Sequence, residues 1–295
     1  MNLNKEKQKS IGDILKEKMT FSFEVFPPKE GEPIEPLLNT LDNIYKYNPD
    51  FISCTYGAGG TNVGRSEEVC KAIIDSGHTV MTHYTCIGQE RDDITSGINR
   101  YKEMGVKNIL ALRGDLPEGW KDTGGYFPHG DRLLNFIKNE FPDMCLGGAC
   151  YAEKHIQARN FEADIAHLRS KQDNGAEFLM TQMCYDIDAY ERFIDRIRKA
   201  GVDLPVIVGI MPVLYRDGLI RMTLGNGCSI PAEVSEIIGK YGDNKDDFKK
   251  AGKEFTIDLI YRYITKGISG LHLYSLNKYK DLAEIINDSG IRGIF

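Results

Sequence analysis

Short apolar runs alternate with amphipathic stretches along the whole chain. The runs are FSFEVF (21–26), DFISCTY (50–56), TVMTHYTCI (79–87), KNILALRG (107–114), CLGGACYA (145–152), EFLMTQMCY (177–185), PVIVGIMPV (205–213) and GLHLYSL (270–276), eight in all. They read as strands. Between them lie helix-like segments such as PIEPLLNTLDNIYKYN, RSEEVCKAIIDSG, DITSGINRYKEMG, DRLLNFIKNE, FEADIAHLRSKQDNGA and DIDAYERFIDRIRKAG. Several stop at a glycine just past a basic last turn. The last unit predicts two helices, at about 232–241 and 246–266, and a closing helix at about 278–289. Regular β–α alternation means parallel strands joined by helical crossovers. Eight units in 295 residues predict one (β/α)8 TIM barrel, spanning 1–295 with a short helical extension at about 1–19. An open doubly wound sheet is the alternative.

Along FSFEVF, Phe21, Phe23 and Val25 share one face, while Ser22, Glu24 and Phe26 share the other. The all-apolar face should pack under helices, which turns Glu24 toward the barrel interior. Pro27 and Pro28 end the strand just beyond it, so Glu24 is expected near the C-terminal rim, where barrel enzymes keep their chemistry. Loss of hydration there favours the neutral acid, a natural proton donor, unless a cation compensates. The bland alternative is an ion pair with an arginine on a neighbouring strand. Other strand ends are polar too: Thr55-Tyr56, His83 and Thr85, Arg113-Gly114-Asp115, Tyr151 to His155, Thr181-Gln182, and Tyr274 to Lys278. Converging on one mouth, they predict a ligand site rich in donors with few acids.

Composition removes several function classes. The net charge of −6 is well mixed, without a basic stripe, which argues against nucleic acid or an anionic membrane as partner. No apolar run approaches the roughly 18–20 residues of a membrane span, and the charged N-terminus lacks a signal-peptide centre. A cytoplasmic protein is expected. Its seven scattered cysteines, with no C-x-x-C, fit buried thiols in a reducing compartment, and no zinc-ligand spacing occurs.

GGTNVGRS (59–66) nearly spells the phosphate-binding loop G-x-x-x-x-G-K-[ST], in the strand-to-helix context that motif needs. Arg65 stands where its lysine belongs, and no strand ending in a magnesium-binding aspartate accompanies it. A nucleotide-binding regulator built on this loop is the reading from a different functional class.

The polar strand ends are also a signature. SFEVFPPK, ISCTYGAGGT, HYTC, ILALRGDLP, YAEKH, MTQMCYD and LHLYSLNK occur in this order. Together, from about Ile14 to Asp288, they resemble the catalytic barrel of bacterial-type methylenetetrahydrofolate reductase. The resemblance implies a barrel holding FAD at its C-terminal rim. NAD(P)H would reduce the flavin and leave, and methylenetetrahydrofolate would then bind in the same place and be reduced to 5-methyltetrahydrofolate, a ping-pong scheme. A variant reading replaces NAD(P)H by an electron-transfer partner protein. The family often forms homo-oligomers, so one is expected here; its longer eukaryotic relatives carry a regulatory domain after the barrel, and with this sequence ending at Phe295 no such control is expected.

Residue by residue, the resemblance makes Glu24 the acid that protonates the departing ring nitrogen. Asp115 would stabilise the cationic iminium and tune the flavin. FAD contacts carry over to Thr55, Tyr56, Ala58, His83, Arg113, Gly114, Asp115, Tyr151, His155, Ala158, Asp164, His167, Ser170 and Lys171. Arg113 and Lys171 would meet the pyrophosphate, and Asp164 a ribose hydroxyl. Gln182 matches the pterin-binding amide. Lys278 stands where the family carries an arginine for the folate tail. Met222 aligns with an aromatic position after the seventh strand, the polar contact there falls around Arg216 to Gly218, and His129-Gly130 replaces a usual Tyr-Ala step.

Overall fold

The computed structural model describes residues 8–56 and 63–295. Its strands are β1 (Thr20–Val25), β2 (Phe51–Cys54), β3 (Val80–Thr85), β4 (Asn108–Leu112), β5 (Cys145–Cys150), β6 (Phe178–Thr181), β7 (Val206–Ile210) and β8 (Gly270–Tyr274). All neighbours are parallel, and β1 pairs with both β2 and β8, closing the barrel. The open-sheet alternative is thereby excluded. The helices are α1 (Ile11–Glu17), α2 (Glu35–Tyr45), α3 (Val63–Asp75), α4 (Arg91–Met104), α5 (Gly130–Glu140) and α6 (Phe161–Asp173). They continue as α7 (Ile187–Lys199), α8 (Arg216–Asn226), α9 (Ala232–Tyr241), α10 (Lys245–Thr265) and α11 (Tyr279–Ser289). Among the described residues no helix is long and apolar enough to cross a membrane.

Every expected strand is present; β1 is offset by one residue from its run, and the other seven are shorter than theirs, mostly at the C-terminal end. The missing residues, polar ones such as Thr55, Arg113 and Gln182 among apolar ones such as Ile87 and Met211, leave the ladder and turn into loops at the rim. One helix is a correction: RDGLIRMTLGN, which follows the seventh strand and is absent from the predicted helices, forms α8. Its apolar residues are spread around the helix and only Leu219 and Thr223 are buried, so no apolar stripe announces it.

Strand alternation divides the core in two. Phe21, Phe23 and Val25 pack outward with Ile52, Cys54, Tyr84, Ile109 and Leu271 beneath the helices. Phe51, Met81, Leu110, Cys145, Phe178, Met180 and Ile207 fill the interior, together with Ile11 of α1. Each such side chain, fully buried, contributes roughly 1.5–3 kcal/mol. Helix α1, in the described part of the N-terminal extension, therefore belongs to the barrel core. Asn108, fully buried on β4, fixes it there: its Oδ1 accepts from Ile11 N at 2.9 Å, and its Nδ2 donates to Lys9 O at 2.9 Å and Val80 O at 3.1 Å. This stopper closes the N-terminal end of the barrel and leaves the interior free at the opposite rim.

Candidate active site

At the C-terminal rim the strand ends surround a cavity of about 750 Å3, well within the range for small-molecule sites. Glu24 lies in its wall, 6% exposed, with its backbone opposite Ser53 and Tyr274 in the ladder. Its main chain is tied down by Ser275, whose hydroxyl and amide both donate to Glu24 O. The carboxylate faces two imidazoles: Oε2 is 3.5 Å from His83 Nε2 and 4.0 Å from His272 Nε2. Among the described residues no arginine pairs with it, so the structural ion pair is not formed.

His272 is fully buried, its Nδ1 2.8 Å from Ser22 Oγ and its Nε2 3.2 Å from Ser53 Oγ. Both serines come from the inward faces of β1 and β2, so three strands fix this ring beside Glu24. His83 is different. Burial pushes its pKa below the ordinary value, Glu24 opposing in part and His272 adding to the fall. Its Nε2 has no hydrogen-bond partner among the described residues, and neither has Thr85 Oγ1. Both residues line the cavity, so the wall carries unspent polar atoms.

The opposite wall is cationic. Arg113 follows β4; its Nε donates to Gly114 O at 2.9 Å and its Nη1 to Gln157 Oε1 at 2.7 Å. Gly114 has φ +92°, and a Cβ there would come 2.7 Å from Ile87 Cγ2, so only glycine makes this turn. The turn puts Asp115 on the rim, exposed and without a hydrogen bond or ion pair among the described residues. Lys171 reaches the wall from α6, with Nζ donating to Ala149 O at 2.5 Å, and burial lowers its pKa. Tyr151 and His155 stand edge to face, centroids 4.6 Å apart. Burial pushes the Tyr151 hydroxyl up to about 12, while burial lowers His155.

The floor depends on β7 and β8. Tyr274 crosses the barrel to donate to Thr181 O at 2.7 Å. It can do so because β7 carries Gly209 beneath it; a Cβ there would overlap the Tyr274 hydroxyl. Gln182 completes this side, its Nε2 donating to Asn226 Oδ1 at 3.0 Å and its Oε1 accepting from Met183 N at 2.9 Å.

The family signature is decided by the whole chain rather than by these contacts. The methylenetetrahydrofolate reductase family matches residues 9–290. The chain belongs to that family. This methylenetetrahydrofolate reductase family member is 32% identical to 5,10-methylenetetrahydrofolate reductase of Escherichia coli over 272 residues, covering 92% of this chain and 90% of that one. It is 33% identical to methylenetetrahydrofolate reductase 1 of Schizosaccharomyces pombe over 285 residues, 94% of this chain but 47% of the yeast protein. It thus spans about half the length of that relative and nearly all of the bacterial one. Among solved structures, a Clostridium thermocellum protein that binds two copies of 5-methyl-5,6,7,8-tetrahydrofolic acid has the same fold. Its TM-score is 0.66 at 14% identity, over 94% of this chain and 96% of that one.

Of the residues expected in the reductase-family site, the cavity brings together Glu24, Thr55, Tyr56, His83, Arg113, Gly114, Asp115, Tyr151, His155, Lys171 and Gln182. Ala58 lies outside the described residues, as does most of the GGTNVG loop. Of that loop's basic end, Arg65 donates to Glu32 O at 3.1 Å and pairs with Glu68 at 3.2 Å, and Ser66 donates to Thr55 O at 3.0 Å. Four others stand behind the wall. Asp164 Oδ2 accepts from His155 N at 3.0 Å, Ala158 O accepts from Lys154 Nζ at 2.7 Å, and Ser170 donates to Asp131 Oδ2 at 2.6 Å. The His167 ring lies 5.7 Å from that of His129. Lys278 is also outside the wall, its Nζ 3.8 Å from the centre of the Tyr215 ring. Residues not singled out from sequence are His272, Arg221 and Asn226, the last two on α8. His272 was findable: in GLHLY it shares the inward face with Tyr274.

Proposed function

We propose that the protein reduces 5,10-methylenetetrahydrofolate to 5-methyltetrahydrofolate as a flavoprotein. The overall change is methylenetetrahydrofolate plus NAD(P)H plus a proton giving methyltetrahydrofolate plus NAD(P)+. The observation that carries this reading is a buried carboxyl, Glu24, in the wall of a roughly 750 Å3 cavity, in a chain of this family.

The donor set suits FAD. Arg113 and Lys171 supply cations for a pyrophosphate, the unpartnered His83 Nε2 and Thr85 Oγ1 offer polar contacts, and Tyr56, Tyr151 and His155 offer flat faces. Thr55, Gly114 and Asp115 would complete the near contacts, with Ala58, Ala158, Asp164, His167 and Ser170 supporting them. Bound FAD would carry reducing equivalents from the nicotinamide to the folate.

The chain's own residues supply the rest. Glu24 gives its proton to the nitrogen that departs when the folate's five-membered ring opens. Asp115, a carboxylate on the rim, stabilises the iminium cation left behind. Gln182 can still offer its second amide hydrogen and second lone pair to the pterin edge while Asn226 and Met183 hold it in place.

An anaerobic titration tests this reading. Protein reconstituted with FAD should be bleached by NADH or NADPH and recoloured by methylenetetrahydrofolate. Protein that takes up no flavin, or reduced flavin that methylenetetrahydrofolate leaves bleached, would overturn it. Failure of both nicotinamides, with dye-linked oxidation of methyltetrahydrofolate retained, would make a partner protein the electron donor.

A further inference from the structure

The cations in the cavity wall differ in how far they are already committed. Arg113 is engaged by Gly114 O and Gln157, and Lys171 by Ala149 O. Arg221, on α8 across the mouth, lines the same cavity, and its guanidinium has no hydrogen bond or ion pair among the described residues. Its neighbour Arg216 is neutralised by Asp217 at 3.0 Å and Asp243 at 3.2 Å. Lys278 rests on the Tyr215 ring, and Tyr215 is itself anchored by a 2.6 Å bond to Asp281. Both of those cations lie outside the wall.

We propose that Arg221 is the specificity residue that binds the carboxylate of the folate's glutamyl tail, in place of Lys278. The inference rests on the proposed folate chemistry. A planar guanidinium with five donors binds a carboxylate through two parallel hydrogen bonds, which an ammonium cannot do. Its place on the outer lip of the cavity suits the end of the ligand that trails toward solvent. Met222, next to it and also in the wall, supplies an adaptable apolar surface for the ring preceding the tail. The pyrophosphate of NAD(P)H is the other anion that enters this cavity in the proposed reaction, and the experiment separates the two.

The test is a cycle of two proteins and two ligands, read as equilibrium binding to the FAD-loaded protein by calorimetry. The ligands are 5-methyltetrahydrofolate and its pteroate analogue, which lacks the glutamate. Arg221→Gln should weaken binding of the glutamate-bearing ligand by about 3- to 10-fold, the scale of a partly exposed charged contact. It should leave the analogue's binding unchanged, and added salt should erase the difference. Arg221→Lys should recover only part of the loss. An equal loss for both ligands or no loss for either would overturn the assignment, as would tail dependence that vanishes in Lys278→Met instead. If neither folate binds the wild-type protein, the proposed function falls and this inference with it.

Discussion

Replacing Glu24 by glutamine keeps the side chain's shape and removes the proton it can transfer. Bleaching of the flavin by the nicotinamide should survive, while folate reduction falls by about 10²–10⁴-fold in rapid-mixing measurements. Equal loss in both half-reactions would contradict the role. His83 gives a second expectation. Burial holds its imidazole neutral, whereas the unfolded chain takes up that proton near pH 6.5. Its share of stability is therefore complete above about pH 6.5 and is lost as pH falls below it. Thermal melts should show the wild type losing stability relative to His83→Asn between about pH 7 and pH 5. A gap that stays constant over that range would refute it. Glu24's inward aim was legible because a strand's two faces alternate, and the same rule applied to GLHLY exposes His272. Arg221 and Asn226 were hidden because nothing local marks a polar residue on an unrecognised helix as facing a cavity.

At the scale of elements, the strands were legible to within a few residues, and their ends were misjudged for one reason. Apolar and polar residues continue the strand pattern past the point where the ladder stops, and only tertiary divergence at the rim ends it. Helix α8 has the opposite problem, since a helix lying over a cavity need not bury a stripe. The stopper α1 gives a sharper test. Asn108→Ala would strand Ile11 N, Lys9 O and Val80 O in the barrel base, at a cost of about 1–3 kcal/mol in urea unfolding. Gly209→Ala should cost a similar amount, about 1–3 kcal/mol, because the new methyl must displace Tyr274 or β7 itself. Flavin binding should weaken in the second variant, which disturbs the cavity floor, and persist in the first. The reverse pattern would contradict the placement of the floor.

For the molecule as a whole, alternating β and α units favoured the closed barrel, the pairing of β1 with β8 decided it against an open sheet, and the family signature followed from strand ends distributed over nearly the entire chain. The GGTNVG loop carries little weight because a short glycine-rich motif recurs on many backbones, whereas ordered motifs on seven strands do not. Mass action predicts that FAD at about a hundredfold excess over its Kd stabilises the native state by roughly 2.7 kcal/mol. An upward shift in Tm with FAD, and none with ATP and magnesium, is the expected scan. The described cysteines are all free thiols, so a reducing agent should leave Tm where it is.

The packed base under α1 has a consequence for traffic. With Ile11 wedged among Phe51, Met81 and Phe178, the chamber is a cul-de-sac. In the proposed ping-pong scheme the electron donor would have to back out of the doorway before the folate enters, so each reactant should obstruct the other when supplied in excess.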